Sequence, residues 1–172
     1  MREQVAIGAL DTPIGTLWMA CSEQGVCRLV FPGEEAKAKI ERWLAVHQPT
    51  HGLTAAKTLL KRTGTELGEY FAGTRHAFTL PLDLQGSAFH QRVWRALTQI
   101  PYGHTISYGK LAHGLDAPKA ARAVGAACGA NPVPIIAPCH RVLGSDGALH
   151  GFGGGLPVKA WLLRHEGVLL DL

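Results

Sequence analysis

Three adjoining pieces of sequence, Ser107-Tyr108-Gly109-Lys110-Leu111-Ala112, Leu115-Asp116-Ala117-Pro118 and the run from Lys119 to Gly129, decide how the C-terminal half of this chain folds. The first opens a short helix. The second turns the chain at a proline, whose ring cannot continue a helix. The third is a second helix made almost entirely of alanine and glycine. Two short helices joined by a tight turn form a helix-turn-helix. Ala120, Ala121, Ala123, Gly125, Ala126 and Ala127 give the second helix little bulk, and Arg122 projects alone among them. Tight core packing accounts for the small residues, but an arginine buried there without a partner would be expensive. On a nucleic-acid reading the slim face suits a minor groove about 6 Å wide. The long polar side chains that read base edges in the major groove are nearly absent, which favours shape-driven binding.

Upstream, Ser87 is placed to cap a helix carrying Phe89, Val93, Trp94 and Leu97, which Ile100-Pro101-Tyr102-Gly103 ends. The break at Gln85-Gly86-Ser87 separates an N-terminal domain, 1–84, from a C-terminal one, 87–172. The N-terminal domain begins with strands over Val5 to Leu10, Thr16 to Cys21 and Val26 to Phe31, divided by turn signals at Thr12-Pro13-Ile14-Gly15 and Ser22-Glu23-Gln24-Gly25. From Glu34 the apolar period becomes helical through Ile40, Trp43, Leu44 and His47. A second helix runs from about Thr54 to Phe71, and Phe78 to Leu84 returns to strand character. The fold class is α+β: a three-stranded sheet with helices, then a mostly helical domain.

A hydrophobic share of 47% with 17% charged residues describes a packed globular protein. No apolar stretch approaches the roughly 20 residues that span a bilayer, and Met1-Arg2-Glu3-Gln4 lacks a secretory apolar region, so the expected location is cytoplasmic. Cys21, Cys27, Cys128 and Cys139 include no CxxC pair and no zinc spacing; neither a metal nor a disulfide is expected. The net charge of +4 is uneven: nine basic and eight acidic residues lie up to Leu82, and eight and five from Asp83 onward.

That second half also holds Val133-Pro134-Ile135-Ile136-Ala137-Pro138-Cys139-His140-Arg141-Val142. Cysteine attacks as the thiolate, and a neighbouring base or positive charge lowers its pKa from about 8.5. His140 and Arg141 are the adjacent groups for that task, and the prolines restrict the backbone that presents the thiol. A buried structural cysteine at a strand end is the competing reading. Further on, Pro157 to Gly167 forms a helix with proline in its first turn and glycine past its end. Glu166 sits in the last turn, where the helix dipole disfavours negative charge. A residue that violates a local rule is a candidate for function. Glu166 could orient His140, leaving His140 to take the thiol proton. Adjacent strand residues point to opposite faces, so His140 would reach Cys139 only at a turn or through a water.

Taken together, the chain resembles the O6-alkylguanine-DNA alkyltransferases, in the bacterial two-domain form. The resemblance rests on Ser107-Tyr108-Gly109-Lys110-Leu111-Ala112, Ala121-Arg122-Ala123-Val124-Gly125, Asn131-Pro132-Val133-Pro134, Pro138-Cys139-His140-Arg141-Val142 and Trp161-Leu162-Leu163-Arg164-His165-Glu166-Gly167. Thr12-Pro13-Ile14-Gly15 and Glu69-Tyr70-Phe71-Ala72-Gly73 add weaker support in the first half. It implies a ribonuclease-H-like N-terminal domain and a DNA-binding alkyltransferase domain. It implies further that double-stranded DNA is bound by its minor groove and that a damaged guanine is flipped into a pocket. Cys139 would take the alkyl group, from O6-alkylguanine and less well from O4-alkylthymine, stoichiometrically and with self-inactivation. By the same resemblance Glu166, His140, a water and Cys139 form a relay, Tyr108 rotates the nucleotide and protonates the leaving guanine, and Asn131 braces the helix-turn-helix against the active-site loop. Arg122 would fill the vacated space in the duplex, with Ser107, Tyr108, Ala121, Ala123 and Gly125 on the DNA. Pro134, Val142, Phe152, Gly153 and Gly154 would line the pocket. No metal, nucleotide or methyl-donor cofactor is implied; the protein would be a monomer in solution, with assembly on DNA left open. Two departures stand out. Phe152 and Gly153 occupy positions where the family often has tyrosine and a hydroxylated residue, and Cys128 replaces a small or apolar one.

A cysteine hydrolase is the main competing enzyme, but it leaves the Ala-rich helix and Arg122 unexplained. A pure DNA-binding module is the other, against which Cys139 itself argues.

Overall fold

The computed structural model describes residues 3–33, 35–49 and 54–170, in two compact units, Met1–Leu84 and Gln85–Leu172. In the first unit β1 (Glu3–Thr12), β2 (Gly15–Cys21) and β3 (Val26–Val30) form the antiparallel meander expected from the turn signals, with β1 and β2 in register from Ala6 opposite Cys21 to Thr12 opposite Gly15. Helix α1 (Ala36–Leu44) follows, then a short strand β4 (His47–Pro49) that joins β1 in parallel, giving the order β3-β2-β1-β4. Helix α2 (Thr54–Phe71) has the bounds its apolar period implies. Strand alternation sorts the side chains between the two helices. Val5, Ala20 and Cys27 pack with Trp43 and Leu44 near α1, whereas Met19 lies against Gly64 and Cys21 Sγ is 3.6 Å from Thr63 Oγ1 on α2.

Two sequence expectations change in this unit. The helix through His47 stops at Leu44, and Glu34 lies outside the described residues. His47 still meets Trp43, stacked at 3.8 Å with Nδ1 2.9 Å from the Trp43 carbonyl, so the helical spacing survives as a ring contact. The backbone meanwhile turns to hydrogen-bond with β1. The segment Phe78 to Leu84 is extended but forms only one bridge, Leu82 to Val26. Val26 donates to the Pro81 carbonyl (2.9 Å) and Asp83 to that of Val26 (3.0 Å), and Pro81 has no N–H for a ladder. The approach is so close that a Cβ on Gly25 would lie 2.6 Å from the backbone of Leu82 and Asp83.

In the second unit Ser87 caps α3 (Ala88–Leu97), its hydroxyl accepting from His90 N at 3.1 Å. A two-residue strand β5 (Ile106–Ser107) leads into α4 (Tyr108–Gly114) and α5 (Ala121–Gly129), the helix-turn-helix. Asp116 turns between them with φ of +56°, a conformation that aspartate tolerates. Helix α5 begins two residues later than expected, because Pro118 and Lys119 belong to the turn that Ala120 closes on Ala117 O. Trp94 Nε1 donates to Ala127 O (2.8 Å), tying α3 to α5. A 3-10 turn, Cys139–Arg141, runs into β6 (Val142–Leu143), which pairs in parallel with β5. That pairing sets Tyr108, the first residue of α4, beside the Cys139 turn. Helix α6 (Leu156–His165) ends at Glu166, with Gly167 at φ of +84° past it. Among the described residues no helix is long and apolar enough to cross a membrane.

Candidate active site

Cys139 is not at a strand end. It opens the 3-10 turn after a backbone held by several bonds: Ala137 N to Val133 O (2.9 Å), Cys139 N to Ala137 O (2.8 Å), Asn131 Nδ2 to Ala137 O (2.7 Å) and Val133 N to Asn131 Oδ1 (3.0 Å). Within this stretch Ile135 has φ of +72°, a costly conformation for a β-branched residue, which persists only where its surroundings over-determine it. The thiol is 5% exposed and borders a cavity of about 160 Å³ with Tyr108, Cys128, Gly129, Gly151, Phe152 and Gly153. Burial pushes the Cys139 thiol up, and the Asn131 side chain and the Lys159 ammonium pull in the opposite direction.

His140, fully buried, has Nε2 2.7 Å from Glu166 Oε1. Glu166 also accepts from Arg141 Nε (2.8 Å) and Nη2 (2.9 Å) and from Gly103 N (3.2 Å). Burial would raise the Glu166 carboxyl, but the bonds from His140 and Arg141 outweigh it and hold the group well below the usual carboxylate range. An ionised carboxylate only accepts, so the proton on the His140–Glu166 bond sits on Nε2. Burial keeps the imidazole below its ordinary pKa and therefore neutral, which leaves Nδ1 as the basic nitrogen. Nδ1 is buried and has no hydrogen-bond partner among the described residues. Glu166 thus caps α6 inside the protein.

Arg141, adjacent to His140 in sequence, is not free to act on the thiol as its position suggests: its guanidinium is spent on Glu166 and, through Nη1, on the Ile100 carbonyl at 2.5 Å. The cation whose charge favours the Cys139 thiolate is Lys159 on α6, which no short motif links to the thiol. Its signal was in the sequence: Lys159 shares a helical face with Leu162 and Leu163, both fully buried, where a lysine is costly.

The other candidates fall as follows. Tyr108 lines the cavity, and burial beside Cys128 and Cys139 pushes its phenol up to about 12. Cys128 lines it too, and burial pushes its thiol up to about 12. Phe152 and Gly153 are at the cavity wall; Pro134, Val142 and Gly154 do not line it, the first two being buried behind. Ser107 caps α4, accepting from Lys110 N at 3.1 Å. Helix α5 has a packed face and an open one. Val124, Ala127 and Cys128 are buried, and Arg122, Ala123 and Ala126 are exposed, with Ala121 and Gly125 half-buried between. A Cβ on Gly125 would sit 3.9 Å from the Tyr108 ring, so the small residue there packs on the cavity wall.

Comparison with known proteins follows the two units. The model of the 6-O-methylguanine DNA methyltransferase ribonuclease-like domain matches residues 5–84, and that of the DNA binding domain of the same family matches 88–168. The chain belongs to the 6-O-methylguanine DNA methyltransferase family. It is 57% identical to the methylated-DNA–protein-cysteine methyltransferase of Mycolicibacterium paratuberculosis over 91% of this chain and 89% of that protein. It is 44% identical to the protein of the same name from Salmonella typhimurium, over 94% and 95%. The crystal structure of the Mycobacterium tuberculosis O6-methylguanine methyltransferase superposes with a TM-score of 0.80 at 41% identity, covering 94% of this chain and 92% of that one. A crystal structure of the M. tuberculosis protein in complex with DNA gives 0.78 at 40% identity, covering 95% and 92%.

Proposed function

We propose that this protein repairs alkylated DNA by moving the alkyl group of O6-alkylguanine, and less readily of O4-alkylthymine, onto Cys139 in one turnover. The observation that carries the reading is the Glu166–His140 pair beside a buried thiol on a base-sized cavity, with Nδ1 of His140 left as the acceptor. The cavity is smaller than the roughly 300–1,000 Å³ of ordinary small-molecule sites, which suits a single extruded base.

The steps follow from the residues. Cys139 gives its proton to His140 Nδ1, directly or through one water, and the Glu166 carboxylate stabilises the imidazolium. The thiolate attacks the alkyl carbon in line; the S–C bond forms, the C–O bond breaks, and the electron pair passes to the guanine. Tyr108, whose raised pKa keeps its proton at neutral pH, donates to the leaving base. The product is a thioether, which offers no activated carbonyl for water to attack, so the protein is consumed. The transfer balances with protein and DNA alone. Exposed Arg122 on the slim face of α5 meets the minor groove and offsets the few kcal/mol that base extrusion costs. The protein is cytoplasmic and monomeric in solution.

The test is incubation with duplex DNA containing O6-methylguanine and mass mapping of the products. One added methylene on the Cys139 peptide, one equivalent per protein, is expected; its absence refutes the assignment. Cys139→Ala should lose transfer and keep DNA binding. Gly153 faces open space, so O6-benzylguanine should be repaired at a rate comparable to O6-methylguanine.

A further inference from the structure

Lys159 is a lysine with no exposed surface. Its ammonium donates to two backbone carbonyls, Val142 O at 2.7 Å and His150 O at 3.3 Å, and forms no ion pair among the described residues. A buried cation held by neutral dipoles alone is expensive, and replacing it with an apolar residue of similar volume is often neutral or stabilising. Its place therefore asks for a reason. The ammonium lies 5.8 Å from the centroid of the Tyr108 ring and 5.9 Å from that of Phe152, two walls of the Cys139 cavity, at the outer range of cation–π contact. Both carbonyls it holds bracket the site: Val142 follows the Cys139 turn directly, and His150 precedes the Gly151–Gly155 loop.

We propose that Lys159 is the positioning residue that makes Cys139 ionisable, its charge offsetting the burial of the thiolate while its two bonds fix the active-site loop to β6. The division of labour is then clear. Arg141 belongs to Glu166, His140 takes the proton, and Lys159 faces the anion that remains. The ionisable groups facing Lys159 are Cys139 and His140 from the 3-10 turn, Cys128 from α5 and Tyr108 from α4. Burial lowers the Lys159 pKa, and the charges that Cys139 and Cys128 would carry raise it, as a mutual interaction requires. The inference rests on Cys139 being the alkyl acceptor.

The experiment measures single-turnover transfer from O6-methylguanine duplex DNA between pH 6 and 10, for the native chain and Lys159→Met. Loss of the cation should move the midpoint of the rate profile up by about one unit or more and slow transfer at pH 7 about tenfold or more. A purely structural lysine would lower the rate without moving the midpoint, and that result overturns the proposal. If Lys159→Met does not fold, the same coupling is read from the other side. The Lys159 Cε resonance should titrate lower in Cys139→Ser than in the native chain, and equal midpoints overturn the proposal. A native chain that makes no S-methylcysteine overturns the repair assignment and this inference with it. Native transfer with an unmoved midpoint in the variant overturns this inference alone.

Discussion

Replacing Glu166 with glutamine tests the site and the fold together. The side chain is fully buried and serves His140, both sides of the Arg141 fork and Gly103. Glutamine keeps the shape and removes the charge, so the buried Arg141 guanidinium loses its counter-ion. Removing one partner of a buried pair costs about 3–5 kcal/mol; because the amide oxygen still accepts, the lower end applies, about 3 kcal/mol. For a unit of this size that is a fall in melting temperature on the order of 10–20 °C. Chemistry suffers separately. The amide presents an N–H toward His140 as readily as its oxygen, so the Nε2–H form is no longer enforced and Nδ1 loses its role as base. Positioned general bases contribute about 10²–10⁴-fold, which is the expected loss in single-turnover rate. The pH dependence has a defined sign. The folded carboxyl lies below its unfolded value of about 4.3, so its stabilisation is full above that value and is lost as pH falls through the folded one. The gap between native and variant should therefore be constant from pH 6 to 8 and shrink below about pH 4. Thermal unfolding followed by circular dichroism, alongside transfer assays at a temperature where both are folded, reads all three. A variant that melts within 3 °C of the native chain and transfers at the native rate refutes the account of this cluster.

Two further outcomes are specific. Asn131→Ala removes the bonds to Ala137 O and from Val133 N that brace the cysteine turn, and should cost about 1–3 kcal/mol in denaturant unfolding while slowing transfer more than DNA binding; an unchanged rate would count against the bracing role. Gly25→Ala forces a methyl to within 2.6 Å of the Leu82–Asp83 backbone and should destabilise the N-terminal unit by about 2 kcal/mol or more, with transfer by the surviving folded protein unaffected; a neutral change in urea midpoint would refute that packing.

Local sequence was sufficient for the parts of the fold that local physics controls. The meander between Val5 and Val30, helix α2, the Ser87 cap and the helix-turn-helix are all encoded by alternation, period, capping chemistry and turn residues within a few positions. The site was legible to the extent that its members break local rules: a glutamate at a helix C-terminus, a lone arginine on an alanine helix, a thiol between proline and histidine. Tertiary structure decided the rest, because the deciding partners are distant in sequence. His47 left its helix for the edge of β1, which helical period alone does not reveal. The extended segment after Phe78 failed to become a strand because Pro81 meets Val26 at a closely packed Gly25. Arg141 and Lys159 exchanged the roles that their chain positions suggest. Arg141 adjoins His140 in sequence but folds back on Glu166, 25 residues away, while Lys159, which no short motif links to Cys139, delivers its charge there from the buried face of α6. Sequence fixes which charges a chain carries, but which of them is desolvated beside a thiol depends on packing, since a charge acts strongly only where water is excluded.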